Sequence, residues 1–299
     1  MQFLADSLLK PALPIPDGEG EWAAQLTLQF ALTARGTRLL RKQQHGPLYV
    51  QRPFYPEGPE LAHVYLLHPP GGLVSGDNLH NRLQLTAAAQ VLCTTPGAGR
   101  LYRARSDQRC QQMTNTLQLA ANTTLEWLPQ ESIVFEGAHA KLLTTVELAE
   151  SARFIGWEIT ALGLPASSAL LETGSLVQRL QVILAGQPLL REQLVLTEQT
   201  RALAKAQIGL QQQTVTGLFV CGPFTKTQIA ALPLAELQAV AAEAGRPALC
   251  GITRLGQFLV GRYLGSCAQQ ARMMFTNYWQ QLRPLLLHRP VCVPAIWAT

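Results

Sequence analysis

The chain has 299 residues, 47% of them hydrophobic and 14% charged, with a formal net charge of +5. That composition excludes wholesale disorder, because there is enough apolar surface to build a core and little charge to oppose one. A chain this long buries roughly 75% of its unfolded surface and needs no disulfide or metal staple. The mild positive charge lacks the clustering of a nucleic-acid binder. Its densest basic run, Arg100, Arg103, Arg105 and Arg109, reads as a solvated loop. The six cysteines, Cys93, Cys110, Cys221, Cys250, Cys267 and Cys292, form no C-x-x-C pair and are irregularly spaced, so reduced and mostly buried thiols are expected. Met1–Pro16 carries no basic region followed by an apolar run, and no stretch approaches 18 consecutive apolar residues. A cytoplasmic protein without a membrane span is the expectation.

Period-two alternation dominates the first two-thirds of the chain. Trp22, Ala24, Leu26, Leu28, Phe30 and Leu32 share one face of an extended strand. β-type runs follow at Val64–Leu67, Arg82–Thr86, Val91–Thr95, Thr114–Leu119, Leu142–Leu148, Phe154–Leu162 and Gln193–Thr197. Between the last two, Leu176, Leu180, Val182 and Leu184 alternate, with Gln178 interrupting the apolar face. Turn signals separate these runs, including Pro69-Pro70-Gly71-Gly72, Pro96-Gly97 and Glu136-Gly137. Many short, regularly punctuated strands predict a mainly β fold. Strands do not alternate with long helices, which argues against a doubly wound parallel sheet. Two helices are expected in the C-terminal third. Pro233 opens the first, Leu234, Leu237, Val240, Ala241 and Ala244 form its stripe, and Gly245 and Pro247 end it. The second has a capping-box pattern at Ser266 and Gln269, an apolar stripe from Ala268 to Leu282, and a stop at Pro284. Leu249–Tyr263 between them reads as strand. Residues 21–299 make one large β-rich domain, and residues 1–20 a poorly ordered segment.

Catalytic motifs fail on inspection. Gly71 and Gly76 have P-loop spacing, but Asp77 and Asn78 stand where Lys and Ser/Thr should be, and a carboxylate there would repel phosphate. A hydrolase elbow lacks its first glycine, since Leu73 precedes Val74-Ser75. Ser75 with His68 as base and Asp77 as orienter leaves a β-fold hydrolase as an alternative, although such residue types often fall together by chance. The six histidines show no i, i+2 or i, i+4 pair, so no tight metal site is expected. Several carboxylates lie in apolar or glycine-bound settings: Asp77, Glu126, Glu131, Glu136, Glu158 and Glu192. Inside a β core each would need a pairing partner or a cation, while on the outer face of a strand each would be ordinary.

Five segments together resemble one family. His68-Pro69-Pro70-Gly71-Gly72-Leu73-Val74-Ser75-Gly76-Asp77 is similar to the H-P-P-G-G-x-V-x-G-D signature of the UreD/UreH urease accessory proteins. Thr94 to Arg103, containing Thr95, Pro96, Gly97 and Tyr102, resembles their T-x-P-G-A-[ST]-K-x-Y-R segment. Leu125-Glu126-Trp127-Leu128-Pro129-Gln130-Glu131 matches L-E-W-L-P-Q-[ED]. Gly163-Leu164-Pro165-Ala166 resembles G-R-P, and Leu282-Arg283-Pro284 through Pro294–Thr299 resembles L-R-P…P-x-I-W-x-T. The match is collinear from about Gly46 to Thr299.

The resemblance implies a mostly β scaffold that is not an enzyme. It would bind the urease apoprotein and an F-type accessory protein, and reach a G-type GTPase through the latter. Nickel would pass in transit, with no tightly bound cofactor and no nucleic acid or membrane partner. Nickel stands high in the affinity series for nitrogen and sulfur ligands, so a chain that hands it on should offer oxygen. By motif match, Asp77, Glu158 and Glu192 are expected on the path, with Ser75 and Thr95 lending hydroxyl oxygens. The chain departs from the family pattern at Gly99, Arg100 and Leu164.

Overall fold

The computed structural model describes residues 22–164, 171–244 and 249–298. The expected disorder of residues 1–20 and the helix stop at Gly245 and Pro247 lie outside them. Two strands open the fold, β1 (Trp22–Thr33) and β2 (Gly36–His45). They are followed by β3 (Leu61–Tyr65), β4 (Asp77–Thr86), β5 (Gln90–Thr94) and the short β6 (Gly99–Leu101). Then come β7 (Gln111–Leu119), β8 (Thr124–Leu128), β9 (Ser132–Val134), β10 (His139–Leu148) and β11 (Arg153–Leu162). The long hairpin β12 (Ser175–Leu184) and β13 (Gln187–Leu196) precedes β14 (Val215–Gly222).

Three α-helices lie in the last quarter of the described residues. They are α1 (Lys226–Ala230), α2 (Leu234–Ala244) and α3 (Ala268–Leu287). The hairpin β15 (Leu249–Leu255) and β16 (Phe258–Gly265) separates the last two. It occupies the stretch expected as a single strand, and the reversal falls at Gly256, whose φ of +57° suits glycine.

The strands form two sheets facing one another. One runs β13-β12-β10-β7-β4-β1-β2 and the other β15-β16-β14-β11-β8-β5-β3, with β6 and β9 added beside β11. In the first, β1, β4, β7, β10 and β12 are mutually parallel. In the second, β3, β5, β8 and β11 are. Parallel neighbours need a long crossover, usually a helix. Here the crossover is a strand of the opposite sheet, so the chain coils through both sheets as a short solenoid. The mainly β expectation therefore holds, and parallel pairing arises without the helices that normally announce it. Antiparallel strands flank the parallel block: β2 and β13 on the first sheet, β14 and the β15–β16 hairpin on the second.

Period-two alternation sorts the side chains. Leu26, Leu28, Phe30, Leu83, Leu117 and Val146 of the first sheet meet Val64, Val91, Leu125, Phe154 and Val220 of the second in the inner core. The other face of the second sheet is also apolar and is covered by the helices. Ile155, Trp157 and Phe219 pack there against Phe275, Tyr278 and Trp279 of α3, all at most 1% exposed. β11 is thus buried on both sides and reads as a near-continuous apolar run.

Two expectations about α3 need correction. Its N-cap is Cys267, which makes no side-chain cap; the capping box belongs to α1, between Thr225 and Gln228. Pro284 does not stop the helix, which continues to Leu287. Pro284 lacks the N–H that would bond the carbonyl of Gln280, and Gln280 lies on the exposed face where water can serve that carbonyl. His288, at φ 54°, closes the helix by donating to the Pro284 carbonyl at 3.1 Å.

Candidate functional site: a polar cavity between the sheets

The inner core is not wholly apolar. In three successive strands of the first sheet a mid-strand inward position is polar: Asn81 in β4, Asn115 in β7 and Thr144 in β10. They sit side by side in register. Asn81 Nδ2 donates to Asn115 Oδ1 at 3.0 Å, and Asn115 Nδ2 donates to Thr144 Oγ1 at 3.1 Å. The Thr144 hydroxyl donates across the sandwich to Glu158 of β11. Gln178 of β12 also hydrogen-bonds that carboxyl. The ladder lines a cavity of about 340 Å³. Its outer end is framed by His68, Gly71, Thr95, Pro96, Gly99 and Gln130, and its inner end by Thr144, Gln178 and Glu158.

Among the described residues Glu158 is the one carboxylate lining this cavity. Burial pushes it up to about 7, against the opposing hydrogen bonds from Thr144 and Gln178. Near neutral pH it therefore exchanges a proton readily. A carboxyl in that state is also an oxygen ligand that a cation can deprotonate. Asn81 Oδ1 and His68 Nε2 are buried without hydrogen-bond partners, so neutral donor atoms remain in the same region. At the mouth, Gln130 N–H donates to Thr95 Oγ1 at 2.9 Å, and the Gln130 side chain accepts from Arg272 of α3.

The H-P-P-G-G segment forms one wall of the mouth. Leu73 pairs with Leu101 of β6: its N–H donates to the Arg100 carbonyl at 2.7 Å, and Tyr102 N–H donates to the Leu73 carbonyl at 3.0 Å. This approach leaves no room at Gly72, where a Cβ would stand 2.4 Å from the Tyr102 ring. The Tyr102 ring stacks on Phe135, with centroids 5.3 Å apart. Asp77 and Ser75 serve the loop itself. Asp77 Oδ2 accepts from Val74 N–H at 2.8 Å, and Ser75 Oγ accepts from Arg105 N–H at 2.7 Å. Burial raises the Asp77 carboxyl, while the Val74 N–H and Arg105 hold it down. Neither residue lines the cavity, whereas Thr95 and Glu158 both do.

Glu192 takes a third position. It faces inward from the edge strand β13 and pairs with Arg262 of β16 at the open rim of the sandwich. Arg262, Leu218 and Glu158 are successive neighbours across β16, β14 and β11, so the rim pair continues the row that Glu158 begins. Gly99 opens onto the mouth, with only the Ser132 hydroxyl within 4 Å of where its Cβ would be. Leu164 is 42% exposed, and Pro165 and Ala166 lie outside the described residues. Arg100, Arg103, Arg105 and Arg109 are all exposed, as a solvated loop should be.

The hydrolase alternative does not assemble. Among the described residues no hydrogen bond joins His68 to Ser75 or Asp77; the Asp77 carboxylate is engaged by the Val74 N–H of its own loop and the Ser75 hydroxyl by the Arg105 N–H of the neighbouring one. Of the apolar-set carboxylates, Glu136 caps a loop by accepting from the N–H groups of Glu172 and Thr173 at 2.7 and 2.8 Å. All six cysteines are free thiols, but only Cys93 and Cys221 are fully buried and four are half-buried, fewer than expected.

A second polar cluster, missed from sequence, lies on the opposite face of the second sheet. Arg283 of α3 is fully buried. Its Nε donates to Glu126 Oε2 at 2.8 Å, and its NH2 group donates to both oxygens of Glu57 at 2.8 Å. Trp279 Nε1 adds a bond to Glu126 at 2.6 Å, and His63 Nε2 lies 2.8 Å from Glu57 Oε1. Burial alone would raise the Glu57 carboxyl, but His63 and Arg283 outweigh it and hold it below the usual value. The C-terminal residues complete this face: Trp297 Nε1 donates to Thr94 Oγ1 at 2.9 Å, and its ring packs on Trp157 and Trp279. No helix among the described residues is long and apolar enough to cross a membrane.

The comparisons with known proteins agree with these features. A family model described as UreD urease accessory protein matches residues 23–298. The chain is 40% identical to the urease accessory protein UreD of Marinomonas sp. (strain MWYL1), covering 100% of this chain and 96% of that relative. It is 42% identical to the UreD of Marinobacter nauticus and 40% identical to that of Saccharophagus degradans, with at least 95% of each chain covered. With its motifs framing a polar cavity and its relatives matching end to end, the chain belongs to the UreD urease accessory protein family, whose members are accessory proteins and not enzymes.

Proposed function

We propose that this chain is a cytoplasmic maturation scaffold that binds urease apoprotein and an F-type accessory protein, reaches a G-type GTPase through the latter, and passes nickel to urease through the cavity between its sheets. The observation that carries this reading is the ladder of Asn81, Asn115 and Thr144 leading to Glu158. It offers amide, hydroxyl and carboxyl oxygens in a core that is otherwise apolar. Such donors hold nickel less tightly than a cysteine–histidine cage, as a cargo that must leave requires. Glu158 is the ionisable ligand of the path, and Thr95 lends an oxygen at its mouth. Ser75 and Asp77 act by shaping the mouth loop. Glu192, paired with Arg262, sets the electrostatic potential at the rim. Ser132 supplies the hydroxyl that Gly99 lacks.

The test is urease maturation in cells whose urease cluster lacks its own D-type gene. Supplying this chain should restore activity and nickel content. Glu158→Ala should cut both at least about tenfold, as removal of an ionisable ligand does, while the urease–accessory complex still co-purifies. Full nickel loading with Glu158→Ala would remove the path and leave only a docking role.

A further inference from the structure

The buried cluster beneath the C-terminal residues has the makings of a second cation site, separate from the cavity. His63 lies on the edge strand β3 and points away from the inner core. Glu57 precedes that strand. Cys292 comes from the chain that crosses the same edge after α3. A carboxylate oxygen of Glu57, a ring nitrogen of His63 and the Cys292 Sγ all lie within 4.8 Å of one another. Cys292 lies more than 200 positions from Glu57 and His63 in sequence, and α3 brings it to them by anchoring Arg283 on Glu57 and Glu126.

Charge and geometry both leave the cluster incomplete. Two buried carboxylates, Glu57 and Glu126, face one guanidinium, Arg283, so these three groups sum to a formal −1. Loss of the Cys292 thiol proton would make it −2, the charge that a divalent cation neutralises. His63 is fully buried, and its Nδ1 has no hydrogen-bond partner. Nδ1 can carry the ring proton at a cost of about 1–3 kcal/mol, as a buried N–H without an acceptor, and Nε2 is then a ligand. The Nε2–Oε1 separation of 2.8 Å is close to that of two adjacent ligands. Tetrahedral metal bonds of about 2.1 Å place their atoms about 3.4 Å apart, so the two groups separate by about 0.6 Å as an ion enters.

We propose that Glu57, His63 and Cys292 bind a divalent transition-metal ion that fastens the C-terminal residues to the edge of the second sheet. The cation takes the place of the proton shared by His63 and Glu57. That proton moves to Nδ1, and the Cys292 proton leaves to solvent, so one proton is released per ion bound. A carboxylate, an imidazole and a thiolate suit the nickel-to-zinc end of the series. Three protein ligands leave at least one position for water. Cys292 is half-buried, with exposed Val291 and Val293 on either side, so the site has access from the surface.

The experiment uses the full-length chain, stripped with a chelator and titrated with cobalt(II). The expected result is a near-ultraviolet thiolate-to-cobalt charge-transfer band that zinc(II) displaces. Cys292→Ser should abolish the band, and His63→Gln should weaken cobalt binding at least about tenfold. Glu158→Gln, on the other side of the sheet, should leave the band intact. A measurement on the unaltered chain guards against misfolded variants: peptide mapping of Cys292 alkylation with and without zinc(II) should show at least about tenfold protection. Absence of the band in the folded chain, its persistence in Cys292→Ser, or equal alkylation rates would each overturn the proposal.

Discussion

Glu158 shows how one side chain links stability to pH. Its carboxyl ordinarily ionises near 4.5 and is raised to about 7 in the folded chain. Below pH 4.5 both folded and unfolded chains hold the proton. Between 4.5 and 7 the unfolded chain releases it while the folded chain keeps it, so stability falls as pH rises through that window and stays lowered above it. Glu158→Gln removes the effect. We expect the variant to gain about 1–3 kcal/mol relative to wild type between pH 5 and pH 8, read as a widening gap between their urea midpoints. Parallel midpoints would show that the cavity hydrates the carboxylate. Glu158 was visible in sequence as an acid within an apolar strand. Gln178 was visible too, because it interrupts an alternating run. Asn81, Asn115 and Thr144 carried the same sign, each standing among leucines, valines or a methionine at an inward position. What the sequence could not show is that three different strands align these residues in one row. Asp77 shared the apolar setting of Glu158 but caps its own loop, because a carboxylate after a tight turn finds backbone N–H groups within reach.

The strands were legible where one face is wet, and less so elsewhere. β1, β4, β7, β10 and β12 alternate clearly. β2 is a solvated edge carrying Arg38, Arg41 and Lys42, and its polarity hides its period. β14, covered on both faces, reads as an unpatterned apolar run. Among the helices, α3 owes its position to its aromatic stripe, and Trp297 presses on it from beyond its end. Trp297→Ala would remove the contacts to Trp157 and Trp279 and the bond to Thr94. We expect a loss of about 2–4 kcal/mol and rapid elastase cleavage after the exposed Val291, followed by mass spectrometry. Resistance to cleavage equal to wild type would mean that the C-terminal residues are held by other contacts.

Across the whole molecule, Arg283 joins regions that the chain order keeps apart. Glu57 precedes the first strand of one sheet, Glu126 lies in its middle, and the guanidinium arrives from the last helix. Arg283→Ala leaves two buried carboxylates without their counter-ion, which should cost about 3–5 kcal/mol. Equilibrium unfolding in urea gives the loss, and co-expression with the accessory partners gives its effect on yield. A change below about 1 kcal/mol would mean that water reaches Glu57 and Glu126 freely. This network gives the arginine of the L-R-P segment a structural role: it ties the last helix to residues far earlier in the chain. The same long-range closure is why no local spacing of histidines and cysteines revealed the cluster.

The stacking of Asn81, Asn115 and Thr144 on adjacent strands has a kinetic consequence. Neighbouring strands lie about 4.8 Å apart, and a metal–oxygen bond is about 2.1 Å long. Two such bonds nearly span one rung, so an ion between rungs can touch the oxygen ahead before it releases the one behind. On the proposed path, no step would require a bare cation in an apolar core, which would keep the barriers between stations low. On that path, Glu158 is the carboxyl station of the row and would set the dwell time, with proton uptake at its carboxyl ending it.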